Sequence, residues 1–200
     1  MQPVSNGDMI MTAITISRQL GSLGDEVGQA VAGRLNFGLV SREVINQAAS
    51  RAHAPEVALA TIDDLGLLDI RPSQKDRRAY QQAVKKVMQE LAEAGKIVII
   101  GRAGQVILKD HPNVLHVKVI APAELRAERL ALQQEISIES ARAQIEASDN
   151  ARRNYLRRYY RVRWDQLSPK GVIESEPKLW VKFEKKSICE RFSQCVQVEQ

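Results

Sequence analysis

The sequence predicts an α/β fold in which a mostly parallel sheet is covered by helices on both faces. Short runs of β-branched residues, such as residues 96–100 (KIVII), alternate with longer segments of helical periodicity. These runs are continuously apolar instead of alternating with polar residues, as strands buried on both sides require. With 200 residues at 44% hydrophobic content, the chain can bury one core of ordinary size, so one domain is expected over residues 1–200.

Residues 11–17 (MTAITIS) form the first expected strand. The loop RQLGSLG follows, and from Asp25 the spacing of Val27, Ala30, Val31 and Leu35 is helical. Residues 37–41 (FGLVS) read as a second short strand, and residues 42–52 as a helix with Val44, Ile45 and Ala48 on one side. Residues 53–73 are irregular and carry Asp63, Asp64 and Asp69. Residues 74–94 form an amphipathic helix with Tyr80, Val84, Val87, Met88 and Leu91 on one stripe, ended by Gly95. The strand at 96–100 runs into Gly101-Arg102-Ala103-Gly104. A further strand spans 114–120 (VLHVKVI), and Pro122 opens a helix through Leu132. Ser137 is an N-cap, with Glu139 in the first turn, for a helix reaching about Tyr160. Beyond Arg163 the pattern weakens, and a last strand is expected at 172–173 or at 179–183.

A formal charge of +5 favours anionic partners: nucleotides, nucleic acid or acidic membranes. The charge is concentrated, with Arg152, Arg153, Arg157, Arg158, Arg161 and Arg163 in one short stretch. Cys189 and Cys195 have no ligand partners nearby, and His53, His111 and His116 are scattered. No metal site built from protein ligands and no disulfide framework is therefore expected, and a reducing compartment follows. The first residues lack a basic region followed by an apolar core, and no run approaches the roughly 20 apolar residues of a membrane span. The chain reads as cytoplasmic, without membrane contact.

The loop after the first strand carries the first candidate site. A strand–loop–helix junction directs backbone N–H groups and the positive end of the helix dipole at one point, where phosphate oxygens bind. Gly21 and Gly24 allow the close approach this needs. The segment matches neither G-x-x-x-x-G-K-[ST] nor G-x-G-x-x-G. An ordinary βα turn uses glycines in the same way, and the spacing leaves both readings open.

Arg102 directly follows the 96–100 strand, at the sheet edge where ligands of open α/β folds bind, and could fork onto a phosphate or base carbonyl. A solvent-facing arginine is the alternative. Arg126 and Arg129 share a helical face beside Glu124 and Glu128, so surface ion pairing accounts for them as readily as catalysis. Farther on, Asp149, Arg152, Arg153 and Leu156 fall on or near one helical face, with Tyr155, Tyr159 and Tyr160 interleaved among arginines. A basic cluster of this kind suits phosphoryl transfer, where catalysis is mostly positioning and charge stabilisation. It also suits a solvated basic face, or a helix that stacks RNA bases on its tyrosines. The lack of aromatic platforms on strands argues against nucleic acid.

Taken in order, ITISRQLGSLGDEVGQAVAGRL, SREVINQAA, IVIIGRAGQVILKDHPNVLHVKVIAPAELRAERL and the D-x-x-R-R-x-Y run from Asp149 resemble the cytidylate kinase-like family over about residues 12–160. The resemblance implies a P-loop NTPase-type three-layer fold with a mostly parallel five-stranded sheet and a helical, arginine-rich lid. It implies transfer of the γ-phosphoryl of ATP, with Mg²⁺, to a nucleoside monophosphate such as CMP or dCMP. By position, Ser17, Arg18, Gly21, Ser22 and Gly24 would hold the ATP phosphates. Ser41, Arg42, Arg102, Asp149 and Arg152 would bind the acceptor, and Arg126, Arg129 and Arg153 would clamp the migrating phosphoryl group.

The chain departs from that pattern at named positions. Gly24-Asp25-Glu26 stands where cytidylate kinases carry G-K-[GS]-T, and where relatives often place an arginine at the position of Asp25. A carboxylate about 5 Å from a phosphate charge costs roughly 3 kcal/mol at an effective dielectric near 20. Gly101-Arg102-Ala103 replaces G-R-D, and residues 164–200 diverge. Two other readings follow: a nucleotide-binding relative with weak or no turnover, and a basic protein that binds RNA or another acidic partner.

Overall fold

A computed structural model describes residues 12–51, 73–164 and 171–174. The elements run β1 (Ala13–Arg18), α1 (Gly24–Leu35), β2 (Gly38–Val40), α2 (Arg42–Arg51), α3 (Gln74–Ala94), β3 (Ile97–Ile100), α4 (Gly104–Ile107), β4 (Val114–Ile120), α5 (Ala123–Gln134), α6 (Ile138–Tyr160) and β5 (Gly171–Glu174). The strands are parallel in the order β2-β3-β1-β4, and β5 runs beside β4 at the edge.

The register explains the uninterrupted apolar runs. Ile14 pairs with Val98 and Leu115, and Ser17 with Lys118. Side chains alternate across a strand, so Ile14, Ile16, Val98, Ile100, Val117 and Val119 share one face and pack on Val27 and Ala32 of α1. The opposite face sets Ala13, Ile99 and Val114 against Tyr80, Val84 and Met88 of α3. Each large side chain buried in this way contributes roughly 1.5–3 kcal/mol. A third cluster, Ala127, Leu130, Ala141 and Ile145, fixes α5 on α6.

The helix ends follow local chemistry. Ser73 Oγ accepts from Asp76 N–H at 3.1 Å, and Ser137 Oγ from Ser140 N–H at 3.2 Å. Such caps contribute about 1 kcal/mol each. Gly95 closes α3 with φ 74°, its N–H donating to Leu91 O.

Some expectations need correction. In α1 it is Ala32 that is buried, whereas Ala30 faces solvent. In α2 Ile45 is buried but Val44 is exposed. The single turn α4 was not expected. It starts from three consecutive left-handed residues, Gly101 (φ 83°), Arg102 (φ 47°) and Ala103 (φ 58°). Residues 172–173 do lie in a strand, β5. His53, Asp63, Asp64, Asp69, the alternative strand at 179–183, Cys189 and Cys195 fall outside the described residues. Among the described residues no helix is long and apolar enough to cross a membrane.

Candidate active site

The carboxyl ends of β1, β3 and β4 open onto one edge, and β1 lies between the other two. The loop from Arg18 to Gly24 therefore sits over the middle of the sheet. Gln19 anchors it to the end of β4, its N–H donating to Val119 O at 3.2 Å and its Oε1 accepting from Ala121 N–H at 3.1 Å. The buried Ser22 hydroxyl donates to Gln19 O at 2.8 Å and tightens the turn. Gly21 has φ +75°, and a Cβ there would stand 2.7 Å from Arg126 O, so the loop rests on the backbone of α5. A Cβ at Gly24 would stand 2.2 Å from Arg18 Cβ. Leu23, left-handed at φ 64°, leads into α1 without a side-chain cap. The first-turn N–H groups of α1 thus have no capping side chain, and the dipole there favours an anion.

The charged residues of the loop are arranged differently from the expectation. Arg18 Nε donates to Asp25 Oδ1 at 3.0 Å. The Arg18 guanidinium also reaches the turn after β3, where a Cβ on Gly101 would lie 3.2 Å from its Nη1. Asp25 is therefore no lone carboxylate facing a phosphate. Its charge is partly neutralised by the loop's own arginine, which lowers the repulsion expected from the sequence. Ser17 is buried, and its Oγ accepts from Trp164 Nε1 at 3.1 Å. The Trp164 ring covers Lys118, whose Nζ is 3.6 Å from the ring centroid and donates to Trp164 O at 3.3 Å.

Arg102, in the turn after β3, is only 7% exposed, which overturns the solvent-facing alternative. Its Nε donates to Asn46 Oδ1 of α2 at 2.9 Å, and its guanidinium lies 5.8 Å from the centroid of Tyr155. Backbone in the left-handed region costs of order 1–2 kcal/mol per non-glycine residue, so Arg102 and Ala103 store strain at this edge. Ser41 and Arg42, both half-buried, begin α2, with Ser41 O accepting from Ile45 N–H at 3.3 Å.

Surface pairing does not describe Arg126. It is 5% exposed and grips Asp149 with both terminal nitrogens, Nη2 to Oδ2 at 3.0 Å and Nη1 to Oδ1 at 3.3 Å. Arg152 Nη1 donates to Asp149 Oδ1 at 3.2 Å. Glu124, the expected neighbour, instead pairs with Arg142 of α6, and that carboxylate raises the exposed Arg142 above its ordinary pKa. Arg129 is half-buried and reaches Gly21 O at 3.4 Å; burial lowers its pKa, and Glu26 opposes that. Arg153 points to solvent and bonds Asn150, so it is not brought to the others.

The tyrosines are not a stacking platform. Tyr155 lies 5.1 Å from Tyr159 and 5.7 Å from Tyr160, and Tyr80 of α3 meets Tyr159 edge-on at 5.7 Å. Burial, first of all, raises Tyr80, Tyr155 and Tyr160 above the usual phenol range, while Arg102 opposes it. The alternative of base-stacking tyrosines is disfavoured, because Tyr80 and Tyr159 are buried and Tyr155 and Tyr160 pack against the same core between α3 and α6.

The residues missed from the sequence are Gln19, Asn46, Lys118 and Trp164. Gln19, lying between Arg18 and the first loop glycine, could have been singled out; Trp164 gave no local signal. Among the described residues no group of three or more His, Cys, Asp or Glu is placed to hold a metal.

Residues 13–169 match the cytidylate kinase-like family. Among solved structures, an uncharacterized protein from Eubacterium ventriosum is similar with a TM-score of 0.62 at 20% identity, covering 82% of this chain and 87% of that one. Shikimate kinase from Bacteroides thetaiotaomicron has a TM-score of 0.52 at 11% identity, covering 91% and 98%. Shikimate kinase from Acinetobacter baumannii in complex with shikimate gives 0.51 at 12%, covering 94% and 96%. At these identities the likeness concerns the fold. No curated protein matches the sequence. A family match spanning most of the chain, on a parallel α/β sheet shared with kinases, establishes that this chain belongs to the cytidylate kinase-like family.

Proposed function

We propose that the chain transfers the γ-phosphoryl group of ATP to a nucleoside monophosphate of the CMP or dCMP type. The observation that carries this reading is the pairing of an anion-binding loop over β1 with a buried, oriented arginine, Arg102, at the end of the adjacent β3. The loop N–H groups and the start of α1 bind the donor phosphates, with Ser17, Arg18, Gly21, Ser22 and Gly24 forming the walls. Across the edge, Arg102 meets the acceptor phosphate or base, Ser41 and Arg42 flank it from α2, and Arg152 approaches from α6, oriented by Asp149. Arg129 lies against the loop, and Arg153, which points to solvent and bonds Asn150, would join the others only on closure of the basic end of α6 as a lid.

Magnesium in such sites is held mostly by phosphate oxygens with one or two protein carboxylates. Asp25 fits that requirement: it stands at the loop end of α1, and Arg18 engages its Oδ1. When bound, Mg²⁺ would neutralise charge on the transferred phosphoryl group. The residues of this chain supply position: the loop fixes the donor, Arg102 the acceptor, and α6 brings further positive charge. A sequence with only two cysteines fits a reducing, cytoplasmic setting.

The test is direct. Purified protein with ATP, Mg²⁺ and a panel of ribo- and deoxyribonucleoside monophosphates is expected to form diphosphates, fastest with CMP or dCMP. Failure with every acceptor would sink the reading. The pairing of Arg18 with Asp25 supports a second reading, a relative that binds nucleotide with little turnover, since the loop's cation is partly spent on its own carboxylate. That version predicts a nucleotide-dependent rise in melting temperature without product.

A further inference from the structure

The Arg126–Asp149 pair is an expensive way to join α5 to α6. Both groups leave water, and the same gap filled by apolar side chains is often at least as stable. Arg126 Nε is also buried with no hydrogen-bond partner among the described residues. Stability is therefore a poor reason for the pair, and its third contact suggests a better one. Arg126 Nη1 also donates to Leu20 O in the phosphate loop at 3.4 Å, and Arg129 Nη1 to Gly21 O at 3.4 Å.

In a trans peptide the carbonyl of one residue and the N–H of the next point in opposite directions. Drawing Leu20 O and Gly21 O toward α5 therefore turns the N–H groups of Gly21 and Ser22 away from it. The contact of Gly21 with Arg126 O holds the same segment against α5, since a Cβ there would be only 2.7 Å away. Ser22 N–H is held by Gln19 O at 3.3 Å, which leaves Gly21 N–H as the one aimed by the arginine.

We infer that Arg126 is a positioning residue that links Asp149 of α6 to the phosphate loop and sets the direction of the loop N–H groups, so that the donor site is organised from α6. The inference rests on the donor-site reading above. It assigns Asp149 to the organisation of the donor site instead of direct contact with the acceptor.

The experiment compares full-length R126K, D149N and the double variant R126M/D149L with the parent chain. Backbone amide exchange across residues 19–24 of the ligand-free protein, affinity for Mg·ADP, and separate KM values for ATP and CMP are measured. R126K and D149N are expected to speed loop exchange and weaken ADP by about tenfold, the lower end for a lost charge-assisted hydrogen bond. D149N is expected to raise KM for ATP more than that for CMP, since the donor loop loses its link through Arg126 while Arg152 loses one of its contacts. The double variant restores the packing without a donor to Leu20, so its melting temperature returns while loop exchange stays fast. Parental loop exchange in a folded double variant would overturn the inference, as would a rise in KM for CMP alone in D149N. If the parent chain binds no ADP and forms no product, the proposed function fails, and the exchange data still decide the linkage.

Discussion

Arg18 Nε and Asp25 Oδ1 lie 3.0 Å apart, so the first residue of the loop after β1 is tied to the second residue of the helix that follows it. The Asp25 side chain is 57% exposed, and an exposed pair of this kind contributes about 0–1 kcal/mol to stability. Its influence on an incoming phosphate is larger, since the carboxylate both repels the anion and occupies the cation. Asp25→Asn is expected to leave the melting temperature nearly unchanged and to tighten ADP binding in the absence of Mg²⁺ by roughly three- to tenfold. Calorimetric titration checks this, and a weaker complex would show that Asp25 helps to hold the phosphates.

Gly21→Ala is expected to abolish nucleotide binding. The added Cβ would face Arg126 O, a backbone atom that cannot rotate away, in a conformation with φ +75°. The combined strain is about 2 kcal/mol or more and falls on the loop itself. Thermal shift with and without ADP measures both effects. A G21A protein that retains its ligand-induced shift would mean that the anion binds elsewhere.

Ala103→Gly should change stability by less than about 1 kcal/mol. Glycine relieves about 1–2 kcal/mol at φ 58°, but a buried methyl is lost, about 0.8 kcal/mol, and unfolded glycine gains about 0.5–1 kcal/mol of freedom. Urea denaturation reads it directly. In turnover assays the same variant is expected to lose activity with acceptor more than with donor, because the turn that holds Arg102 inward becomes freer.

Alkaline pH acts through the buried tyrosines. Tyr80, Tyr155 and Tyr160 are raised by burial in the folded state, so below about pH 10 both folded and unfolded forms keep their protons and stability is unaffected. Above it the unfolded chain loses protons that the folded chain retains, and stability falls until the pH passes the folded values. Each tyrosine contributes at most about 1.4 kcal/mol per pH unit in that window, so at most roughly 4 kcal/mol per pH unit for the three together. Denaturant midpoints between pH 9 and about 11.5 test the slope, which Tyr155→Phe should reduce by about a third. Phenolate absorbance appearing near pH 10 for these rings in the folded protein would contradict the burial account.

Much of the fold was legible in the sequence because its signals act over a few residues. Continuous apolar runs marked β1, β3 and β4, and Ser73 and Ser137 cap helices within three residues of themselves. Gly21, Gly24 and Arg102 stood out because they follow strands at the sheet edge that the α/β alternation defines. The resemblance then ordered these pieces into donor and acceptor sides. What the sequence could not decide depends on how distant elements cross. Arg126 and Asp149 are 23 residues apart and pair only because α5 and α6 pack through Ala127, Leu130, Ala141 and Ile145. Trp164 meets Ser17 across 147 residues, and the tyrosines are buried only because α3 lies against α6. Periodicity assigns a residue to a helix face, but the partner of that face is a property of the packed core. By itself, the sequence determined where the strands, caps and glycine turn lie; the tertiary structure decided which charges meet there, because burial makes an arginine choose the carboxylate within reach.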